Sequence, residues 1–127
     1  MKERIQPSSG PKAVGPYSAG IRCGDFVFVS GQIPVTSDGK LSDGPVEDQT
    51  ALVLQNVQSV LQAAGCSLDD VVKATIFLTD MADFAKVNAE YAKHFSEPYP
   101  ARETVAVKQL PLGARIEISV IAAKPKP

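Results

Sequence analysis

The sequence predicts a single α+β domain in which two helices pack on one face of a β-sheet. Three observations support this prediction: two segments with apolar residues at helical spacing, several short apolar runs, and turn residues between them. The length of 127 residues fits one domain, which we take to span residues 1–127. The predicted order is strands, helix, strand, helix and two strands.

The first third of the chain predicts an arm, two strands and a region of turns. Residues 1–15 are polar and rich in proline and glycine, so we expect a loose N-terminal arm. A short strand is predicted over 17–23. Gly24-Asp25 then forms a turn before a strand over 26–30, which is apolar from Phe26 to Val29. Residues 34–45 contain two Asp-Gly turns, which leave room for one further short strand.

Two segments show helical periodicity. Residues 46–64 predict the first helix, because their apolar side chains recur every three or four positions. Acidic residues in the first turn favour the helix dipole, and Gly65 is suited to end the helix. The second helix is predicted over 81–95. Its apparent apolar stripe consists of Phe84, Val87, Asn88, Tyr91 and Phe95.

The remaining strands are predicted over 71–78, 102–107 and 116–123, and all three have the composition of buried strands. Two helices on one face leave the second face of the sheet uncovered. Residues 26–29 and 75–78 show no alternation of polar and apolar side chains, so this second face should also be apolar. We therefore expect another copy of the chain to cover it, which predicts a homo-oligomer.

Composition argues against several classes of partner. The net charge is −1, whereas surfaces that bind nucleic acids or anionic membranes are basic, so neither partner is expected. The two cysteines and the single histidine do not form a zinc-ligand pattern, so no metal site is predicted. The chain shows no apolar signal-peptide core and no run of roughly 18 apolar residues. We therefore expect a cytoplasmic protein.

Two charged residues lie on predicted strands, where an unpaired charge is costly to desolvate. Arg102 shares one side of its strand with Thr104, and Glu117 points away from the apolar residues beside it. One interpretation is an ion pair of Glu117 with Arg102 or Arg115 that has no function. The other is a site in which the arginine binds a carboxylate and the glutamate transfers protons through a water molecule.

Three further positions have both a structural and a functional interpretation. Asn88 lies on the apolar stripe of the second helix, where it either bonds a neighbouring backbone group or contacts a ligand. Tyr17 is either a rim tyrosine or a hydroxyl donor to a ligand. Ser30-Gly31 ends a strand, where the glycine either relieves a bend or lets a ligand approach the backbone.

Six motifs in succession carry a resemblance to a known family. They are GPYS at 15–18, SGQIP at 30–34, a helix with Gln49 and Asn56 that ends in AAG at 63–65, VVKATIFLTD at 71–80, FAKVNAEYAKHF at 84–95, and the segment from Pro100 to Ile118 that contains PAR and IEI. With them the chain resembles the RidA/YjgF family of reactive-intermediate (enamine/imine) deaminases over nearly its whole length.

The resemblance implies a chorismate-mutase-like α+β fold with a mixed six-stranded sheet, and a homotrimer with ligand clefts between subunits. It also implies hydrolysis of 2-aminoacrylate and related imines to 2-keto acids and ammonia, without a cofactor. This is the reaction of a 2-iminobutanoate/2-iminopropanoate deaminase. The alternatives are a regulatory module that binds keto acids, an endoribonuclease or translation inhibitor, and a holdase-like role.

By motif position, the resemblance implies that Arg102 holds the substrate carboxylate and that Glu117 activates the attacking water. It implies that Tyr17 and Asn88 line the cleft and that the Ser30-Gly31 turn offers polar backbone groups. The residue two positions after the arginine is often cysteine in such deaminases. Here it is Thr104, which keeps the backbone N–H but removes the thiol.

Overall fold

The computed structural model describes residues 1–126 and confirms the α+β class. Its strands are β1 Lys2–Ile5, β2 Gly20–Cys23, β3 Phe26–Gln32, β4 Val71–Leu78, β5 Ala101–Ala106 and β6 Ile116–Ala123. Its helices are α1 Val46–Ala63 and α2 Phe84–Ala92, and three short 3₁₀ turns accompany them. The predicted domain extends to Pro127, which lies outside the described residues.

The six strands form one mixed sheet in the order β1-β2-β3-β6-β4-β5. All neighbours are antiparallel except β4 and β5, which α2 connects in parallel. Both helices cover the same face, and α1 packs mainly on β3 and β6. The core lies between α1 and this face and contains Val27, Leu54, Val57, Leu61, Ile76, Ile116 and Ile118. The predicted arrangement of two helices on one face is confirmed.

Two details of the predicted strands are wrong. Residues 2–5 belong to β1, so the N-terminal 15 residues are not all a loose arm. Main-chain pairing of Lys2 with Cys23 and of Ile5 with Gly20 holds this strand on β2. The region 34–45 contributes no strand to the sheet and forms only an isolated bridge between Val35 and Leu41. The count of six strands is correct because β1 takes the place of that strand.

The helices differ slightly from their predicted bounds. Gly65 follows α1 with a φ of 76°, a conformation that glycine adopts without strain, and this confirms it as the helix stop. The predicted second helix is divided into a 3₁₀ turn over Met81–Asp83 and the shorter α2. Its buried stripe is also narrower than predicted, because Phe84 and Asn88 are exposed.

The predicted strand at 102–107 is an edge strand and is largely exposed, so its interpretation as a buried strand is wrong. β6, in contrast, lies in the middle of the sheet. Ile116 and Ile118 are fully buried against the helices. β3 carries a bulge, because three steps from Val29 to Gln32 oppose two steps on β6. The bulge consists of Ser30 and Gly31, which lie opposite Ser119, and it brings Gly31 against the side chain of Glu117.

A buried arginine connects the end of α1 to the strands. Arg22 is 3% exposed and points to the helix face of β2. Its guanidinium donates to the carbonyl oxygens of Ala64 at 2.7 Å, Lys124 at 3.1 Å and Gly24 at 3.3 Å. A cation at this place also interacts favourably with the C-terminal end of the α1 dipole. Arg22 is therefore a structural residue whose buried charge is stabilised by hydrogen bonds to carbonyl groups.

Replacement of Arg22 by methionine should lower the free energy of unfolding by about 2–4 kcal/mol, because buried carbonyl groups lose their donors. Urea unfolding at fixed protein concentration measures this change. Arg4→Met is the matched control, since Arg4 is exposed on edge strand β1 and its loss should cost less than about 0.5 kcal/mol. Equal losses in the two variants would contradict the structural role of Arg22.

Candidate active site

Glu117 lies on the open face of the sheet, above the bulge in β3. A β-carbon at Gly31 would lie only 2.5 Å from the Glu117 carboxylate, so this carboxylate fills the space that the missing side chain leaves. Burial raises the pKa of the Glu117 carboxyl above 4.5. Within residues 1–126 no cation lies within salt-bridge distance of Glu117, and Arg115 instead pairs with Asp83 at 2.8 Å. The structural alternative of an ion pair within the chain is therefore wrong.

A cavity of about 280 Å³ adjoins Gly31, and Tyr17 forms part of its wall. Tyr17 is 54% exposed, and its hydroxyl accepts a hydrogen bond from the Val14 N–H at 3.4 Å. We call Tyr17, Gly31 and Glu117 the carboxylate half-site. All three lie on the same part of the surface, which the β3 bulge and the segment before β2 build.

Ser30 contributes to this half-site mainly by holding its backbone. Its hydroxyl donates to the Ser18 carbonyl at 2.6 Å, and its N–H donates to the Ala19 carbonyl at 2.9 Å. Both donors of Ser30 are thus occupied within the chain. The prediction that Ser30 binds substrate remains untested, but any such contact would use the lone pairs of its hydroxyl or carbonyl oxygen.

Arg102 lies on the opposite face of the sheet from Glu117. It pairs in register with Ala74, which is completely buried beneath the helices. Glu117 pairs in register with Phe77, and side chains alternate between faces along β4. One chain therefore cannot bring these two side chains together without crossing the sheet.

Aromatic rings hold the Arg102 guanidinium. Its central carbon lies 4.8 Å from the centroid of the Tyr91 ring and 5.9 Å from that of Phe84, both on α2. Tyr91 in turn stacks on Phe95 at 4.4 Å between centroids. Cation–π contacts fix the guanidinium without using its N–H groups. No carboxylate within residues 1–126 pairs with Arg102, so these donors remain available to an anionic ligand.

Arg102 lines a cavity of about 500 Å³ together with Asn88 and Tyr91. Asn88 is exposed, and its side chain makes no hydrogen bond within the described residues. Thr104 shares the side of Arg102 along β5, as predicted, and its hydroxyl oxygen is buried without a partner. We call Asn88, Arg102 and Thr104 the arginine half-site.

Sequence reasoning placed Tyr91 and Phe84 in the helix but missed that they hold Arg102. Their spacing of seven residues puts both on one side of α2. Together with an arginine on the following strand, this spacing was the sequence signal that could have indicated the aromatic contacts of Arg102. The role of the loop between β5 and β6 was also missed. Its Leu112 contributes to the wall of the cavity beside Tyr17.

Comparison with known proteins identifies the family. The family model described as Endoribonuclease L-PSP matches residues 7–124. A RutC family protein of Pyrococcus horikoshii is 49% identical over 125 residues, which is 98% of this chain and 99% of the relative. The chain belongs to the RidA/YjgF family. This confirms the resemblance that the six motifs carried.

Two further relatives of the RidA/YjgF chain have names that describe an activity. The Putative reactive intermediate deaminase TdcF of Escherichia coli is 42% identical over 127 residues, and the comparison covers 98% of each chain. The chloroplastic Reactive Intermediate Deaminase A of Arabidopsis thaliana is 47% identical over 122 residues, which is 95% of this chain and 65% of the relative.

The solved structure of E. coli TdcF with bound serine confirms the fold of this RidA/YjgF chain. It superimposes with a TM-score of 0.88 at 40% identity, and covers 96% of this chain and 98% of TdcF. Within residues 1–126, no three metal-ligating side chains of histidine, cysteine, aspartate or glutamate converge. In the same part of the chain, neither helix combines the length and hydropathy needed to cross a membrane.

Proposed function

We propose that this protein hydrolyses reactive enamine and imine intermediates, such as 2-aminoacrylate, to 2-keto acids and ammonia. The observation that carries the proposal is a pair of unneutralised charges: a desolvated carboxylate at Glu117 and an aromatic-held guanidinium at Arg102. If these two residues only stabilised the fold, they would form an ion pair in which each charge neutralises the other. Relatives named as reactive intermediate deaminases, at 42% and 47% identity, support the same reaction.

In this proposal, 2-aminoacrylate first tautomerises to 2-iminopropanoate. Two parallel N–H···O bonds from Arg102 hold the substrate carboxylate. Glu117 accepts a proton from a water molecule while the water oxygen forms a bond to C2 of the imine. Glu117 then returns the proton to the nitrogen, which gives a carbinolamine with a hydroxyl and an NH2 group on C2. Glu117 next takes the hydroxyl proton and delivers it to the nitrogen, so that the C–N bond breaks, ammonia leaves and C2 becomes a carbonyl. The balance is one imine and one water to one keto acid and one ammonia.

Because the two charges lie on opposite faces of the sheet, the proposed cleft requires two copies of the chain. The carboxylate half-site of one copy would face the arginine half-site of its neighbour. We propose that the copies form a homotrimer, the assembly that the family resemblance implies, because a head-to-tail contact of this kind can close into a ring. The open face supports association, because Phe26 and Phe28 on it are 48% and 43% exposed. Both cysteines are free thiols, as expected in the cytosol, where we place the reaction.

Mixing two impaired variants should restore activity if the cleft is shared, provided that the substrate concentration lies below the wild-type KM, where the raised KM of Arg102→Ala and the lowered kcat of Glu117→Gln both make the single variants nearly inactive. When Arg102→Ala and Glu117→Gln chains are unfolded together and refolded at equal amounts, each cleft draws its two half-sites from different chains. About one quarter of the clefts then receive both native half-sites, so we expect about one quarter of wild-type activity. The measurement is the rate of ammonia release by the refolded mixture.

Each variant refolded alone provides the baseline, and the wild-type protein taken through the same procedure gives the full scale. A mixture that is no more active than the two variants would show that one chain supplies both groups. That result would contradict the shared cleft but leave the reaction itself open to test.

The reaction is tested by generating 2-aminoacrylate in situ and following pyruvate and ammonia with and without the protein. Acceleration above the spontaneous rate supports the deaminase. Saturable binding of 2-ketobutyrate in calorimetry without acceleration would instead favour a regulatory binding module.

Serine bound to the related TdcF shows that a family member holds a small carboxylate-bearing molecule.

A further inference from the structure

Leu112 has a backbone conformation that is unusual for its residue type. The N–H of Gly113 donates to the Leu110 carbonyl at 3.1 Å, which closes a four-residue turn around Pro111 and Leu112. Leu112 has φ 59° and ψ 15°, and it is the only non-glycine residue with positive φ within residues 1–126. Since proline fixes the first central φ near −65°, this is a type II turn.

The second central position of a type II turn favours glycine or asparagine, because a β-carbon there is strained. A glycine is present one position later, at Gly113, where it does not relieve this strain. Leu112 is also 70% exposed, so burial within the chain does not compensate for the strain. Strained residues persist where the surroundings impose them, and they are concentrated at functional sites.

The side chain of Leu112 lines the cavity of about 280 Å³ that adjoins Gly31 and Tyr17. Val14 and Ile33 give the same cavity further apolar walls, and Lys12 is its one charged wall residue. Because the Glu117 carboxylate lies against Gly31, a substrate whose C2 is next to that carboxylate can extend its side chain into this cavity. The cavity volume exceeds that of a single methyl group several times.

We propose that Leu112 is a specificity-determining residue that contacts the substrate's side chain and selects imines with apolar side chains of three or four carbons. This inference rests on the proposed function. Burial of each additional methylene against such a wall is equivalent to about a fourfold gain in kcat/KM. The strain at Leu112 is then compensated in the complex, where its exposed side chain gains an apolar partner.

The experiment compares two imino acids generated in situ from leucine and alanine by an amino-acid oxidase. The quantity measured is the ratio of kcat/KM for the leucine-derived imine to that for the alanine-derived imine. We expect the wild-type ratio to exceed one and to fall about tenfold in Leu112→Gly. Leu112→Asn, which also tolerates positive φ, should lower the ratio similarly, and Leu112→Met should retain it.

The turn variants also report on strain. Leu112→Gly should unfold at a higher temperature than the wild type, because the side chain is lost from a left-handed conformation. Val72→Ala removes apolar surface from a 45% exposed residue on β4, outside the cavity, and should leave the ratio unchanged. Size-exclusion chromatography of each variant establishes whether the association state is retained.

An unchanged ratio in both Leu112→Gly and Leu112→Asn would overturn the inference while leaving the deaminase intact. A wild-type ratio at or below one would also overturn it. Loss of the assembly in Leu112→Gly would assign the leucine to a contact between copies and also overturn it. If the wild type accelerates hydrolysis of no imine tested, the proposed function itself fails.

Discussion

Replacement of Arg102 by alanine should raise KM for 2-aminoacrylate about 100-fold and change kcat much less. The guanidinium would grip the substrate carboxylate in the ground state and in the transition state alike, so its loss removes uniform binding. Hydrogen bonds to charged groups contribute about 1.5–3 kcal/mol, which corresponds to this change in KM. Steady-state kinetics with the in situ imine assay measure both constants.

Arg102→Lys provides an internal comparison, because lysine keeps the charge but loses the planar fork of donors. We expect it to recover part of the affinity. Arg4→Ala is the control for removal of an arginine, since Arg4 is exposed on the edge strand β1. A KM that is unchanged in Arg102→Ala would remove this residue from the site.

Replacement of Glu117 by glutamine should lower kcat by about 10²–10⁴-fold with little change in KM, because glutamine cannot accept the proton of the attacking water. Glu103→Gln is the matched control. Glu103 is also on the open face but pairs with Lys73 at 3.3 Å and lies outside both half-sites. Equal activity of Glu117→Gln and the wild type would exclude Glu117 as the base.

The raised pKa of Glu117 also predicts how kcat and stability of the wild-type protein depend on pH. Burial raises the pKa of Glu117, so the wild-type kcat should fall with decreasing pH at a value above the ordinary 4.5 of a glutamate. The free energy of unfolding changes with pH in the opposite direction to kcat and decreases as pH rises. A raised pKa in the folded state means that folding favours the protonated form of Glu117. The free-energy cost of burying the ionised Glu117 carboxylate in the folded protein is absent below the unfolded-state pKa and develops as pH rises through the folded-state pKa.

Glu117→Gln should therefore unfold at a higher urea concentration than the wild type at pH 8, and the two proteins should converge near pH 4. Loss of activity together with a gain in stability distinguishes a catalytic role from a structural one. A variant that loses both would indicate that Glu117 mainly supports the fold.

Most of the fold could be predicted because local patterns encode it. The α1 stripe, the Gly65 stop and the apolar run of β4 are each contained within a few consecutive residues. Strand β1 was missed, since Lys2–Ile5 has only one buried residue and becomes a strand through its pairing with β2. The exposure of β5 was missed for the same reason, because strand order is not a local property.

The candidate site was predicted residue by residue but not in its arrangement. Arg102, Thr104 and Glu117 were each assigned the correct side of their own strands, as alternation along a strand requires. Their relation across the sheet depends on the parallel register of β4 with β5 and the antiparallel register of β4 with β6. The aromatic contacts of Arg102 depend in addition on how α2 packs against the sheet.

The sequence by itself determined the α+β class, the positions of both helices, the family and the identity of the charged pair. Each of these is contained in short-range periodicity or in contiguous motifs. Only the tertiary structure decided that Arg102 and Glu117 lie on opposite faces of the sheet. Alternation along a strand relates the side chains of that strand to one another, but only the pairing of strands shows which side chains of different strands share a face. That placement excludes an ion pair within the chain, and it is the physical basis for proposing a cleft between copies.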